Sequence, residues 1–257
     1  MRTIVKHILL ITAALSLVSC RKDTVPEKWM LAEYSCKSGK LDLLFTHKYD
    51  SQGHLTQVTE EMKGALTVHV MFVYDQNTIT RYLVADPTDL KKWAGKIVYT
   101  LDNSGRVIKS VDEVLEETLV YSYSPNGFLE KVTEEDGNVT VYTWKNNSLE
   151  KITRSDGITV NYTYSNKESL GLLSANKTEK GDHDLAQLGY FGKNSRLLPA
   201  KIEELSSEGK VVSTEEYNYT EFDASARLTG YTQTTSHSAG TLQTKTTNTY
   251  KLIWKPQ

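Results

Sequence analysis

Tyr123-Ser-Pro-Asn-Gly127-Phe-Leu129-Glu-Lys-Val132-Thr133 runs into Asp136-Gly137-Asn-Val-Thr-Val-Tyr142-Thr-Trp144, and the chain then repeats the plan. The second copy reads Trp144-Lys-Asn-Asn147-Ser-Leu149-Glu-Lys-Ile152-Thr153, then Asp156-Gly157-Ile-Thr-Val-Asn-Tyr162-Thr-Tyr164. Each copy is two short strands and two turns. Asp-Gly and Asn-Gly between alternating residues signal hairpins, because a tight turn of the favoured hand needs positive φ, which these residues tolerate. After Gly157, Ile158, Val160, Tyr162 and Tyr164 share one face and Thr159, Asn161 and Thr163 the other, the signature of a half-buried antiparallel strand. In the sister copy Thr140, Tyr142 and Trp144 take the first face, while Val139 and Val141 fall on the second, so both sides of the sheet are expected to be partly covered.

Leu55/Val58, Leu129/Val132 and Leu149/Ile152 are spaced by three, where a flat strand would use two or four. A bulge or strong local twist accounts for this.

Aromatic anchors recur at Tyr49, Tyr74, Tyr99, Tyr123, Trp144, Tyr164, Tyr190, Tyr219 and Tyr250, at spacings of 20 to 31 residues. Such a period means a supersecondary unit whose copies must be neighbours to bury their faces. Two strands per unit predict about fifteen to eighteen strands. Twist accumulating over so many strands should curl or close the sheet. The expected fold is therefore all-β: a large antiparallel up-and-down meander of repeated hairpins, curled into a half-barrel or barrel, with one or two short helical insertions. Asp86-Pro-Thr-Asp-Leu-Lys-Lys-Trp93-Ala-Gly95 carries a capping residue, a first-turn Pro and a terminating Gly, which predicts one or two helical turns. From Asn166 to Pro199 alternation fails, which predicts a helix or long loop over the sheet.

At 257 residues, 39% apolar and 24% charged, the chain has the composition of one large globular domain, and a net charge of -2 provides no footprint for nucleic acid. Arg2, Lys6 and His7 precede an apolar run from Ile8 to Val18, too short to span a bilayer and laid out as a secretory leader. Leu17-Val18-Ser19-Cys20 follows and resembles the lipobox of bacterial lipoproteins. That resemblance implies a signal peptide over residues 1–19, acylation of Cys20, a tether over residues 20–30 and one β domain over residues 31–257. It also implies a mature protein anchored to the outer membrane of the cell envelope. Absence of an acid directly after Cys20 agrees with that destination in the lipoprotein family, while the periplasmic and surface faces stay open. Cys36 is the other cysteine, so acylated Cys20 leaves no internal disulfide, and a buried structural role suits Cys36.

The unit Tyr-x-x-x-Gly-x-Leu-x-x-Val-Thr, over Tyr49 to Tyr164, is similar to the tyrosine-aspartate repeat of Rhs-type surface and toxin-shell proteins. Together with the lipobox and Leu188-Gly-Tyr-Phe-Gly-Lys-Asn-Ser-Arg-Leu-Leu-Pro199, it resembles a family of Bacteroidetes lipoproteins of unknown function with a porin-like β fold. The resemblance implies a large curved antiparallel sheet and supplies no catalytic residues.

No nucleophile elbow, P-loop or dinucleotide fingerprint is present, and no cofactor or metal is expected. His47, His54, His69, His183 and His237 are scattered without zinc spacing, and Gly181-Asp182-His183-Asp184 reads as a polar turn that could alternatively offer ligands. The aromatics carry the functional reading. Tyr142, Trp144, Tyr162 and Tyr164 form either a core or a stacking platform for sugar rings, and Trp93, on the expected insertion, is the other candidate contact. The chain is thus expected to be a non-enzymatic binding module for a glycan, peptide or protein, with a carrier of lipid or another hydrophobic ligand as the alternative. A concave face rich in Tyr, Trp and polar groups would favour the first; Leu, Ile and Val there would favour the second.

Overall fold

The computed structural model describes residues 29–39, 41–168, 182–239 and 242–256. Cys20, the leader over 1–19 and the tether up to residue 28 lie outside the described residues. The strands are β1 (Trp29–Ser38), β2 (Leu41–Tyr49), β3 (Leu55–Met62), β4 (Leu66–Asp75), β5 (Thr78–Val84), β6 (Trp93–Leu101), β7 (Val107–Asp112) and β8 (Glu117–Tyr123). There follow β9 (Leu129–Glu134), β10 (Val139–Lys145), β11 (Ser148–Arg154), β12 (Thr159–Glu168), the helix α1 (His183–Gln187), β13 (Leu197–Leu205), β14 (Val211–Phe222), β15 (Leu228–Ala239) and β16 (Leu242–Pro256). All pair antiparallel in chain order, and β1 meets β16, so the meander closes into a 16-strand barrel. Residues Leu31–Trp254 form one compact unit.

Spacing by three in the Leu-x-x-Val units has the expected cause. Tyr123 pairs with Leu129 while its neighbour Ser122 pairs with Lys131, leaving Glu130 as the extra residue of a bulge. The same shift occurs where Trp144 faces Leu149 and where Tyr49 faces Leu55. Because the bulge advances the strand by one residue, Leu129 and Val132 both point inward and are at most 1% exposed, as Leu149 and Ile152 are. Full burial of such a side chain contributes roughly 1.5–3 kcal/mol.

Aromatic side chains at one end of the barrel reach back one hairpin to a backbone carbonyl. Tyr74 Oη donates to Leu55 O, Tyr123 Oη to Val107 O, Trp144 Nε1 to Leu129 O and Tyr164 Oη to Leu149 O, at 2.5 to 3.0 Å. Tyr49 does the same to Leu31 O, Tyr219 to Pro199 O and Trp254 to Leu228 O. Apart from Leu31, each acceptor is a carbonyl beside a bulge, and each bond ties neighbouring strands together. Three of the aromatics grouped with these by spacing have other places. Leu101 holds the matching register opposite Val107, so Tyr99 lies one step deeper; Tyr190 precedes Phe191 in the interior segment; and Tyr250 stacks on Tyr231 at 4.4 Å.

One face of the sheet is interior and the other is open. Thr140 and Tyr142 are buried, whereas Val141 is 44% exposed, so the expectation of cover on both sides fails at this strand. Charged residues on the outer face, Lys131 and Lys151 among them, are exposed.

Residues 182–196, ahead of β13, pack into the interior. Leu185, Ala186 and Phe191 join the same buried cluster as Leu55, Ile79, Tyr99 and Leu129, and Phe191 meets the rings of Tyr99 and Tyr121 edge-on at 6.0 and 5.1 Å. Backbone bonds seal it in place: Val107 N donates to Tyr190 O, Lys193 N to Gly127 O and Arg196 N to Asn147 O. Gly192, at φ +87°, packs so closely that a Cβ there would lie 2.7 Å from Gly127 O, so neither conformation nor space admits a side chain. The expected helix is thus α1, and it enters the barrel instead of lying over the sheet. The other expected helical insertion is absent. Asp86 to Lys92 forms two successive turns, with Asp86 Oδ1 accepting from Thr88 N and Asp89 Oδ1 from Lys91 N, and Trp93 already begins β6. Aspartates that cap helices also close turns, and the segment is too short for helical periodicity to decide.

Candidate functional site: a cleft inside the barrel

Pairing across β5 to β8 lays four inward residues abreast. Arg81 faces Ile97, Ile97 faces Asp112, and Asp112 faces Glu117. The next inward row is Ile79, Tyr99, Ser110 and Leu119. Bulging between Thr100 and Leu101 against Val107 brings Val107, Ser110 and then Asp112 to the interior. These rows and the start of α1 enclose a cleft of about 330 Å³, within the range of small-ligand sites.

Its floor and walls are aromatic and polar. Tyr99 and Tyr121 line it, with Ser110 Oγ and Tyr121 Oη 3.0 Å apart. Asp182 enters from the N-cap of α1, where Oδ1 accepts from Leu185 N at 2.9 Å. Its Oδ2 lies 2.7 Å from Arg81 Nε, so the helix is fastened to the wall of β5. Burial, with Asp184 close by, pushes the Asp182 carboxyl up to about 6 despite the opposing guanidinium. A second contact runs from Asp184 to His47 Nε2 on β2 at 3.5 Å. At the opposite edge, Asp112 Oδ1 accepts from Val114 N and Leu115 N and shapes the tip of the β7–β8 hairpin. Burial raises the phenols of Tyr99 and Tyr121, with Asp182 adding to both and Asp112 or Glu117 to one each. Among the described residues no three His, Cys, Asp or Glu side chains converge as metal ligands.

None of the aromatics named from the sequence as candidate ligand contacts lines this cleft, although Tyr99, counted there as a spacing anchor, does. Tyr142 and Tyr162 share the interior face with Trp144 and Tyr164 and are 4% and 8% exposed; the two deeper in the hairpin ends spend their polar atoms on Leu129 O and Leu149 O. Trp93 stands at the start of β6, 36% exposed, opposite Val84. Sequence reasoning set aside Asp182 and His183 as a turn and passed over Arg81, Asp112 and Glu117. Arg81 had a signal: it has the parity of Ile79, so it puts a charge on a buried face. Asp112 and Glu117 required counting parity through the bulge at Ile108.

No family model matches the chain, and no curated protein matches it in sequence. Solved structures do. A crystal structure of a porin-like protein from Bacteroides uniformis superposes with a TM-score of 0.66 at 18% identity, over 88% of this chain and 96% of that one. A porin-like protein from Bacteroides vulgatus superposes at 0.52 with 12% identity, over 88% and 99%. The chain therefore has the porin-like β-barrel fold, and at these identities the likeness extends to the fold alone.

Proposed function

We propose that this chain is a lipoprotein of the bacterial envelope, held at the outer membrane by acyl chains on Cys20, and that its barrel is a binding module and not an enzyme. The sixteen strands from Trp29 to Pro256 build that barrel, and the interior cleft is the place where a glycan or peptide ligand is held. One observation carries the reading: the cleft wall combines two tyrosines with Arg81, Ser110, Asp112, Glu117, Asp182 and His183, against only Ile97 and Leu119 as aliphatic residues. A groove for acyl chains would reverse that balance. Anchoring without spanning agrees with the outer face, where Lys131 and Lys151 stand exposed in the middle of β9 and β11. A lysine facing the bilayer midplane on such a strand costs roughly 2–4 kcal/mol.

The test is the thermal midpoint of residues 22–257, which contain the whole barrel, against panels of neutral and charged glycans, peptides and fatty acids. A ligand that binds only the folded state raises the midpoint and saturates. A shift with glycans or peptides that is lost on filling the cleft by Ser110→Phe supports the reading. A shift confined to fatty acids transfers the function to the carrier alternative. Metabolic labelling with palmitate, lost in Cys20→Ser, tests the anchor separately.

A further inference from the structure

We infer that the cleft selects its ligand by a carboxylate group, received on the guanidinium of Arg81 beside Asp182. This rests on the cleft being the binding site proposed above and names the chemistry it recognises. Arg81 puts a charge on the inner face of β5, where its register partners on the adjoining strands, Phe72 and Ile97, offer no side-chain acceptor. Its ion-pair partner among the described residues is Asp182. That contact is close, 2.7 Å from Nε to Oδ2, yet it lies out of line for a hydrogen bond, and Nε is buried without an acceptor. The terminal Nη groups hydrogen-bond no described residue either, and the side chain, 24% exposed, lines the cleft. Arginine carries five N–H donors in a rigid fork, and native folds rarely leave such donors unspent. A planar carboxylate matches the fork, taking two parallel charge-assisted hydrogen bonds from Nη1 and Nη2 while Nε stays against Asp182. One negative charge suits the site better than a phosphate dianion, because Asp112 and Glu117 also line the cleft and like charges repel. Tyr99 and Tyr121 supply a wall for the body of the ligand, and about 330 Å³ accommodates a monosaccharide or the end of a peptide.

The placement beside Asp182 gives binding a pH dependence. Facing Asp182 are Arg81 from β5, Tyr74 from β4, Tyr99 from β6, Tyr121 from β8 and Asp184 from α1. Asp112, Glu117 and His183 complete the charged lining, and His47 meets Asp184 from β2. Burial already pushes the Asp182 carboxyl up to about 6. A second negative charge next to it favours the protonated form further, so a carboxylate binds with uptake of a proton and binds more tightly as pH falls through that range. The ligand's own carboxyl, ordinarily about 3–4, stays ionised there. The tyrosines, raised by burial, stay neutral.

The experiment measures thermal midpoints and calorimetric titrations of residues 22–257 with four probes paired by shape: glucuronate against glucose, and trialanine with a free carboxyl terminus against its C-terminal amide. The expected result is saturable binding of at least one carboxylate, with its neutral counterpart weaker by about tenfold or more, and weakening of the carboxylate at higher salt. Binding by glucuronate alone points to an acidic sugar; binding by the free tripeptide points to a peptide terminus. In Arg81→Gln the preference for the carboxylate is lost. Arg81→Lys keeps a cation against Asp182 and so protects the fold, but it lacks the fork, and the preference there falls severalfold. Affinity of the wild type for the carboxylate rises from about pH 7 to about pH 5, and Asp182→Asn, which retains His47 and His183, removes that rise. Equal binding of carboxylate and neutral partner, a preference undiminished in a folded Arg81 variant, or a pH dependence unchanged in Asp182→Asn overturns the inference. If neutral glycans or peptides bind as well as the carboxylates, the binding module stands and the anionic preference falls. If no probe from any class binds, both fall.

Discussion

At the scale of single residues, the turns at the plugged end show how tightly local chemistry and fold agree. Asp50 Oδ1 accepts from Gln52 N and His54 N, Asp102 Oδ1 from Ser104 N and Arg106 N, and Asp223 Oδ1 from Ser225 N and Arg227 N. Within each loop one residue adopts positive φ: Gly53 and Gly105 supply it at +85° and +76°, as Gly127 does at +85° in the matching turn that begins at Ser124. Ala226 occupies the corresponding place at +61°. An L-residue there carries roughly 1–2 kcal/mol of strain, part of which glycine gives back through the entropy of the unfolded chain. Ala226→Gly is expected to raise stability by about 0.5–1 kcal/mol, read as a higher urea midpoint at unchanged slope. A lower midpoint would show that the loop does not share the strain of its conformation. This turn pattern was legible in sequence, as were the Leu-x-x-Val bulges, because both depend on neighbours within a few residues.

At the scale of elements, α1 is held by charge as well as by packing. Asp182 is buried, accepts from Leu185 N and pairs with Arg81, and its carboxyl is pushed up to about 6 from an ordinary 3.8. A raised folded-state pKa means that the native protein binds this proton more tightly than the unfolded chain does. The stabilisation is fully present below about 3.8 and is lost as pH rises through about 6. Wild type should therefore lose stability relative to Asp182→Asn, whose amide mimics the neutral acid, as pH rises from 4 to 7, measured as paired thermal midpoints in low salt. A difference that stays level, or moves in favour of wild type, over that window would mean that Asp182 is ionised throughout and is held chiefly by Arg81. Little of this element was legible. Five residues are too few for a helical period, and the role of Asp182 depends on an arginine about a hundred positions earlier in the chain. Conversely, Asp86 and Asp89 carried helix-start chemistry that the structure spends on turns.

At the scale of the whole molecule, closure removes the edges that a 16-strand sheet would otherwise expose. β16 pairs with β15 along its length and meets β1 on its other side. Deleting residues 242–257 would open two long edges at once and expose Leu31, Tyr34 and Leu228, which pack in the same cluster as Tyr250 and Leu252. Open edges template association between chains. The truncated chain is expected to form soluble oligomers or aggregate, seen as an earlier elution volume with its strand content retained by circular dichroism. A monodisperse monomer would show that the remaining hairpins hold together without closure.

The division between sequence and tertiary structure follows the range of the interactions involved. Alternation, Asp-Gly turns, three-residue spacing and the aromatic period together determined an all-β meander of about fifteen to eighteen hairpin-linked strands, because each signal is read within one hairpin. Closure depends on β1 meeting β16, across nearly the full length of the chain, and no local pattern encodes that pairing. The tyrosine ladder was placed on one face by sequence, yet only closure made that face an interior filled by α1 and Phe191. The cleft is further removed still: Arg81, Asp112, Glu117 and Asp182 come from three strands and a helix cap, brought together only once the barrel has formed. Short-range sterics and hydrogen bonding wrote the elements into the sequence, and long-range packing chose which of their faces became a site.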